Sequence, residues 1–148
     1  AGGGGGGSGA MAMTFEGALT KAGGYVVRAT VEGKEVRGWP RIVRVAPGAV
    51  AAAKTLLCGE ALARPLVVGA PTPLAIQTMD AHGNACAAGG AEVSASLKHV
   101  ASGATAEGTV ADHKDGSYTA AVTADRAGDW TLTVAVGGKQ VRAAGYKV

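Results

Sequence analysis

Residues 112–136 read DHKDGSYTAAVTADRAGDWTLTVAV, and the alternation within this stretch decides the fold. Asp115-Gly116 is a hairpin dipeptide, because glycine takes positive φ without a Cβ clash and aspartate hydrogen-bonds its own backbone. Beyond it Tyr118, Ala120 and Val122 alternate with Thr119, Ala121 and Thr123, the period of a strand with one face buried. Ala127-Gly128-Asp129 breaks the run. Trp130, Leu132, Val134 and Val136 then resume it, with Thr131, Thr133 and Ala135 on the opposite face. Gly137-Gly138 turns the chain again, and residues 139–148 supply a further strand on Val141, Tyr146 and Val148, with Gly145 marking a bulge.

Working upstream, residues 49–57 read as a first strand, followed by an irregular Gly/Ala/Pro stretch to Pro73. Leu74-Ala75-Ile76-Gln77-Thr78 alternates and forms the second strand, Asp80-Ala81-His82-Gly83-Asn84 is a turn cluster, and Gly89-Gly90 is another. Residues 91–98 form the third strand, with Val93, Ala95 and Leu97 on one face, and residues 104–111 a weaker fourth that feeds the Asp115-Gly116 turn. Seven short strands over roughly a hundred residues predict an all-β fold, an immunoglobulin-like seven-stranded antiparallel β-sandwich.

Composition narrows the classes. Of 148 residues, 47% are hydrophobic but only 4% aromatic, so the core must be thin and built from small side chains. The net charge of +3 raises the question of nucleic acid. The excess lies in residues 1–45, where Lys21, Arg28, Lys34, Arg37, Arg41 and Arg44 face Glu16, Glu32 and Glu35, while residues 46–148 balance. No block of like charge forms and no aromatic interleaves with the cations, so a solvated strand face accounts for them and no nucleic-acid partner is expected. No run approaches the ~18 apolar residues of a spanning helix, so no membrane insertion is expected.

An internal repeat sets the domain organisation. AGGYVVRATVEGKEVRGWPRIVRV, residues 22–45, parallels AGDWTLTVAVGGKQVRAAGYKV, residues 127–148, with Tyr25 on Trp130, 105 residues apart. Residues 1–13 read as a Gly-rich linker or appended tail. Residues 14–45 read as the closing strands of a partial module, and residues 46–148 as a complete one. The apolar face of the partial copy, Tyr25, Val27, Ala29, Val31 and Val36, needs a cover that an isolated hairpin lacks.

The complete module resembles the filamin-type immunoglobulin repeat. The likeness is carried by Asp80-x-His82-Gly83-Asn84 followed by Gly89-Gly90, by Val110-x-Asp112-x-x-Asp115-Gly116-Ser117-Tyr118, and by Ala127-Gly128-x-Trp130-x-Leu132-x-Val134. The family's closing G-S-P-F-x-V pattern survives in part as Gly38-Trp39-Pro40-Arg41-Ile42-Val43 and is eroded to residues 143–148 in the second copy. Such repeats serve as spacers and docking units, and they take partners as an added strand along the third strand and the groove beside the fourth. The resemblance therefore implies Glu92, Ser94, Ser96 and Lys98 on the outer face and Val93, Ala95 and Leu97 shaping the groove from within. Trp39, beside Pro40, is a further candidate contact.

No constellation of catalytic residues emerges. His82, His99 and His113 lie in or beside turns, read as surface histidines, and lack metal-ligand spacing. Asp112 and Asp115 sit where turns want aspartate. Gly83-Asn84 and Gly89-Gly90 precede neither a GK[ST] nor a helix, so no phosphate loop is read. No enzyme, cofactor or metal is expected. Cys58 and Cys86 are expected too far apart to bridge and therefore free, which leans towards a reducing compartment.

The resulting expectation is a non-catalytic interaction module of a larger cytoskeletal scaffold, binding other proteins as extended segments or neighbouring repeats. It is placed in the cytoplasm, with the tail of an axonemal motor heavy chain in a cilium, of the dynein kind, as one setting. The alternative is an extracellular adhesion module such as a gamete-surface repeat protein, which would call for a bridging disulfide or an N-x-[ST] site. Asn84 is followed by Ala85-Cys86 and supplies none.

Overall fold

The computed structural model describes residues 17–148. The expected linker at 1–13 and the first residues of the partial copy, 14–16, lie outside the described residues. The chain divides into two compact units between Ala46 and Pro47.

The first unit is built from β1 (Gly23–Val27), β2 (Thr30–Val31), β3 (Lys34–Glu35) and β4 (Arg41–Val45). β1 pairs antiparallel with β4 from Gly23↔Val45 to Val27↔Arg41, and β2 pairs with β3 as Thr30↔Glu35 and Val31↔Lys34. Gly33 makes the tight turn between β2 and β3 at φ +78°. Among the described residues of this unit none is buried, and Val26 and Ile42, directly opposite each other, are 62% and 76% exposed.

The second unit is the sandwich. Its strands are β5 (Leu56–Cys58), β6 (Thr72–Gln77), β7 (Val93–His99), β8 (Thr105–Glu107), β9 (Thr109–Asp112), β10 (Ser117–Val122), β11 (Trp130–Val136), β12 (Lys139–Gln140) and β13 (Tyr146–Lys147). One sheet runs β5-β6-β10-β9; the other runs β12-β11-β7-β8, with β13 also on β11. The nine segments fill seven strand positions, because two expected strands are each split in two. Where residues 139–148 read as one strand, the chain leaves the sheet after Gln140 and returns at Tyr146 through Gly145, at φ +65°. A Cβ there would lie 2.6 Å from Thr131 Cγ2 and 2.9 Å from the Leu132 carbonyl oxygen, so only glycine fits this close return.

The second split strand is residues 104–111. β8 pairs with β7, β9 pairs with β10, and Gly108 carries the chain from one sheet to the other. Its N–H donates to the Ala95 carbonyl at 2.8 Å. A Cβ would meet the Ala121 and Ala95 carbonyl oxygens at 2.8 and 3.0 Å, the crowding expected where a strand crosses between layers.

The first strand expected at 49–57 is also broken. Val50 makes a lone bridge to Asp80, Ala52–Lys54 coil into a turn of 3-10 helix, and only Leu56–Cys58 joins the sheet. The run Ala51-Ala52-Ala53 has helical rather than strand propensity. The stretch read as irregular contains a short helix, α1 (Glu60–Ala63), whose Ala61 is fully buried. β6 starts two residues earlier than the alternation suggests and takes in Pro73, which lies beyond the end of β5, where no strand pairs with that flank among the described residues.

The core follows the alternation of the opening stretch. Tyr118, Ala120 and Val122 of β10 and Trp130, Leu132, Val134 and Val136 of β11 are buried, against Leu74 and Ile76 of β6 and Ala95 and Leu97 of β7. Trp130 is 2% exposed, donates its indole N–H to the Arg126 carbonyl at 3.1 Å, and meets the His99 ring edge-on with centroids 4.9 Å apart. His99 is thus a buried residue rather than the surface histidine expected. Its Nδ1 lies 2.8 Å from Ser102 Oγ, and its Nε2 lies 3.3 Å from the Ala127 carbonyl oxygen. Burial of an imidazole is tolerated here because both ring nitrogens have partners.

Candidate functional site

β7 was expected to take an added strand along its length, the weak strand at 104–111 covering it poorly. Instead β8 covers its C-terminal half, with Ser96↔Glu107, Leu97↔Ala106 and Lys98↔Thr105 in register, while β11 pairs with the whole of its other side. The open flank is therefore short. Gly137 N–H bonds the Glu92 carbonyl on the β11 side, whereas the His99 N–H and the Ala95 carbonyl serve the β8 side. Antiparallel alternation accordingly turns the N–H and C=O of Val93 towards the uncovered flank. No strand stands opposite them among the described residues.

What flanks this gap is a groove between β7 and β9, which touch although they belong to different sheets. Ala91, Val93 and Val110 are half-buried against the core and make its floor, and Glu92, Ser94, Thr109 and Ala111 are exposed on its rim. Gly108 closes one end. The other is tied down by Asp112, whose carboxylate accepts from Gly90 N–H at 2.8 Å, and by the Tyr118 hydroxyl, which accepts from Ala91 N–H at 3.0 Å.

The expected contact residues consequently separate. Glu92, Val93 and Ser94 lie at the open part. Ser96 and Lys98 lie where β8 already occupies the flank. Ala95 and Leu97, each 1% exposed, are core residues and offer no groove surface. Trp39 belongs to the other unit, half-buried, with the Arg41 guanidinium 5.7 Å from its ring centroid. The covering by β8 had one signal in the sequence, Gly108 in the middle of a weak strand.

The carboxylates that could suggest chemistry are tied up in turns. Asp80 is buried and accepts four hydrogen bonds, from Asn84 Nδ2 and N–H, both at 2.8 Å, from Gly48 N–H at 2.8 Å and from His82 N–H at 2.9 Å. These donors, the Asn84 side chain foremost, hold its carboxyl far below the usual carboxylate range. Asp112 is lowered chiefly by the Lys114 backbone N–H, and Asp115 by the Ser117 hydroxyl. Each is a brace for a loop rather than a free acid. Among the described residues no group of three or more His, Cys, Asp or Glu could hold a metal ion. Cys58 is exposed, Cys86 is buried, and both are free thiols. At one end of the sandwich a cleft of about 500 Å³ is lined by Leu62, Leu66, Trp130 and Val148 together with Arg64, Arg126 and Lys147. Arg126 is paired to Asp125 and Arg64 to Glu60.

Two antiparallel sheets, a strand that crosses between them, and a short open flank define an immunoglobulin-like repeat. The filamin/ABP280 repeat family matches residues 49–147, and the chain belongs to that family, whose domains are structural and protein-interaction modules. The chain is 32% identical over 97 residues to tripartite motif-containing protein 2 of Homo sapiens, a match spanning 66% of this chain and 13% of that protein. It thus spans only a small part of that curated relative's length. Among solved structures the Lin-41 filamin domain superposes with a TM-score of 0.55 at 19% identity, covering 70% of this chain and 95% of that one. The Escherichia coli adhesin FdeC does so with a TM-score of 0.57 at 24% identity, covering 86% of this chain and 40% of that one. Both likenesses concern the fold alone.

Proposed function

We propose that residues 47–148 act as a non-catalytic docking repeat of a larger intracellular scaffold, taking a short extended segment of a partner protein onto the open part of β7. The observation that carries this reading is the unpartnered N–H and C=O of Val93 above the apolar floor of Ala91, Val93 and Val110. Strand addition there is short. With each backbone hydrogen bond worth about 0.5–1.5 kcal/mol net, side chains dropped onto the floor must supply much of the affinity and most of the specificity.

The tripartite-motif relative favours a repeat attached to a multidomain scaffold over the tail of an axonemal motor heavy chain. A cytoskeletal setting remains part of the proposal, as does a cytoplasmic location, which rests on the free thiols Cys58 and Cys86. The adhesion reading has the fold likeness to FdeC on its side; an N-x-[ST] site and a disulfide, which would strengthen it, are lacking.

The test is a pull-down with the full chain, wild type against Val93→Pro. Proline removes a donor that faces the open flank and spares the ladder to β11. A partner retained by wild type and by Ser96→Ala, and lost at least ten-fold by Val93→Pro at unchanged thermal midpoint, supports docking at β7. Equal retention by Val93→Pro defeats it, and no retained protein at all leaves the module a spacer.

A further inference from the structure

Two glutamates stand at the ends of the open part of β7. Glu92 immediately precedes Val93, and Glu107 is the last residue of β8, opposite Ser96, just before Gly108 takes the chain to the other sheet. Both are exposed. The ion pairs of the described residues are Arg28–Glu35, Arg64–Glu60, Lys114–Asp112 and Arg126–Asp125, and neither glutamate takes part in one. Asp112, at the far end of the groove, differs in holding the Lys114 ammonium at 3.0 Å. Thr109 and Ala111 on the β9 rim carry no charge. The cations of the same sheet lie off the gap: Lys98 is one row beyond Glu107, opposite Thr105, and Lys139 is across β11, opposite Val136. Among the described residues, the open flank is therefore edged by acid without an ion-pair partner.

Register fixes what a docked segment meets. Gly108 N–H donates to the Ala95 carbonyl, so the line of β8, prolonged past Gly108, brings its next three places opposite Ser94, Val93 and Glu92. The middle residue takes both backbone bonds of Val93, and its side chain, sharing a face with that of Val93, falls on the floor of Ala91, Val93 and Val110. Its two neighbours point outward. One is directly across from Glu92, in the closer, non-hydrogen-bonded kind of pair. The other is across from Ser94 and two places along the line from Glu107. Opposite charges placed across an antiparallel pair attract, and like charges there are destabilising. An outward carboxylate is thus repelled at both places, and an ammonium or guanidinium is attracted at both.

We propose that the open part of β7 selects basic partners: an extended segment with one apolar β-branched residue between two lysines or arginines. The selection rests on the docking reading above and adds the partner's charge to it. The apolar residue anchors on the floor while the flanking cations meet Glu92 and Glu107. Both pairs are solvent-exposed, so they weaken as salt rises. An acidic segment of the same shape is turned away by charge rather than by fit.

The probes are three acetylated and amidated peptides, TSKVKST, TSQVQST and TSEVEST, titrated onto the full chain at low ionic strength while the amide signals of Glu92, Val93 and Ser94 are followed by NMR. The lysine peptide is expected to bind at least about ten-fold more tightly than the glutamate peptide, with the glutamine peptide between them. The span should shrink in about 1 M salt, where the Debye length is only about 3 Å. Glu92→Gln combined with Glu107→Gln, both on the exposed rim, is expected to level the three peptides and leave the glutamine peptide as before. Val93→Pro, which removes the flank-facing N–H, is expected to lose all three. Equal binding of the three peptides by wild type, lost in Val93→Pro, overturns the charge selection and leaves docking at β7 standing. A lysine preference that survives the double glutamine variant or Val93→Pro places the cations elsewhere and overturns it as well. No binding of any peptide defeats both the selection and the docking site.

Discussion

Tyr25 and Trp130 occupy equivalent places in two hairpins of one register, yet Trp130 is 2% exposed and Tyr25 only half-buried, its hydroxyl donating to the Lys21 carbonyl at 2.7 Å. Hairpin register is a local property, set by turn chemistry and by which residues alternate. Burial is a property of neighbours. β11 has β7 on one flank and the opposing sheet, with Tyr118 and Leu74, beneath it; β1 has one partner strand and nothing buried among the described residues of its unit. The same strand pattern is thus a stabilising core element in one place and, among the described residues, an exposed two-stranded hairpin in the other.

The sharpest way to break this comparison is to truncate both aromatics. Trp130→Ala is expected to cost about 3–5 kcal/mol, the range for emptying a large aromatic site in a packed core, read as a shift of the urea midpoint of the main unfolding transition. Tyr25→Ala should move that transition by less than about 1 kcal/mol, as for a side chain outside a core. Equal losses would mean that Tyr25 is packed as Trp130 is.

Glycines give a smaller contrast. Gly145→Ala combines positive φ with a Cβ only 2.6 Å from Thr131, and roughly 2–3 kcal/mol is expected from strain and overpacking together. Gly33→Ala also has positive φ but open space around its Cβ, so about 1 kcal/mol is expected. It should appear as faster amide exchange in β2 and β3 rather than as a shift of the main transition.

Acid should act on the complete repeat through Asp80. Its folded carboxyl lies below the unfolded value near 3.9, so the unfolded chain binds the extra proton and stability rises with pH across that interval. The contribution is complete above about pH 5 and drains as the pH falls below about 4. Urea midpoints are therefore expected to be flat from pH 8 to 5 and to fall below that, and Asp80→Asn should flatten the fall; an unchanged acid limb would remove Asp80 from the account. The smallest effect is a rate. Cys58 should react with a thiol reagent at once and Cys86 only as its surroundings open, which makes Cys86 labelling a clock for the complete repeat alone.

Much of the architecture was legible in one dimension. The alternation of residues 118–122 and 130–136 announced which side chains are buried, the Asp115-Gly116 and Gly137-Gly138 turns are where the pattern puts them, and Asp80 braces the turn cluster in which it was found. The candidate site was read only in part. Glu92, Val93 and Ser94 flank an open edge and Ala95 and Leu97 are in the core, but Ser96 and Lys98 lie where β8 is already paired, because alternation tells which residues share a face and not which flank of the strand is occupied.

By itself, then, the chain's pattern of alternating apolar residues, glycine turns and repeated motifs determined the all-β class, the inward faces of residues 118–122 and 130–136 and membership of a repeat family. These are local quantities, encoded within a few residues of where they act. The tertiary structure alone decided that Gly108 sends one strand into two sheets, that β8 shuts half of β7, and that His99 lies under Trp130. Each depends on which distant segment arrives beside a strand, and the free energy of that choice comes from packing across the sandwich, which no window of the sequence contains.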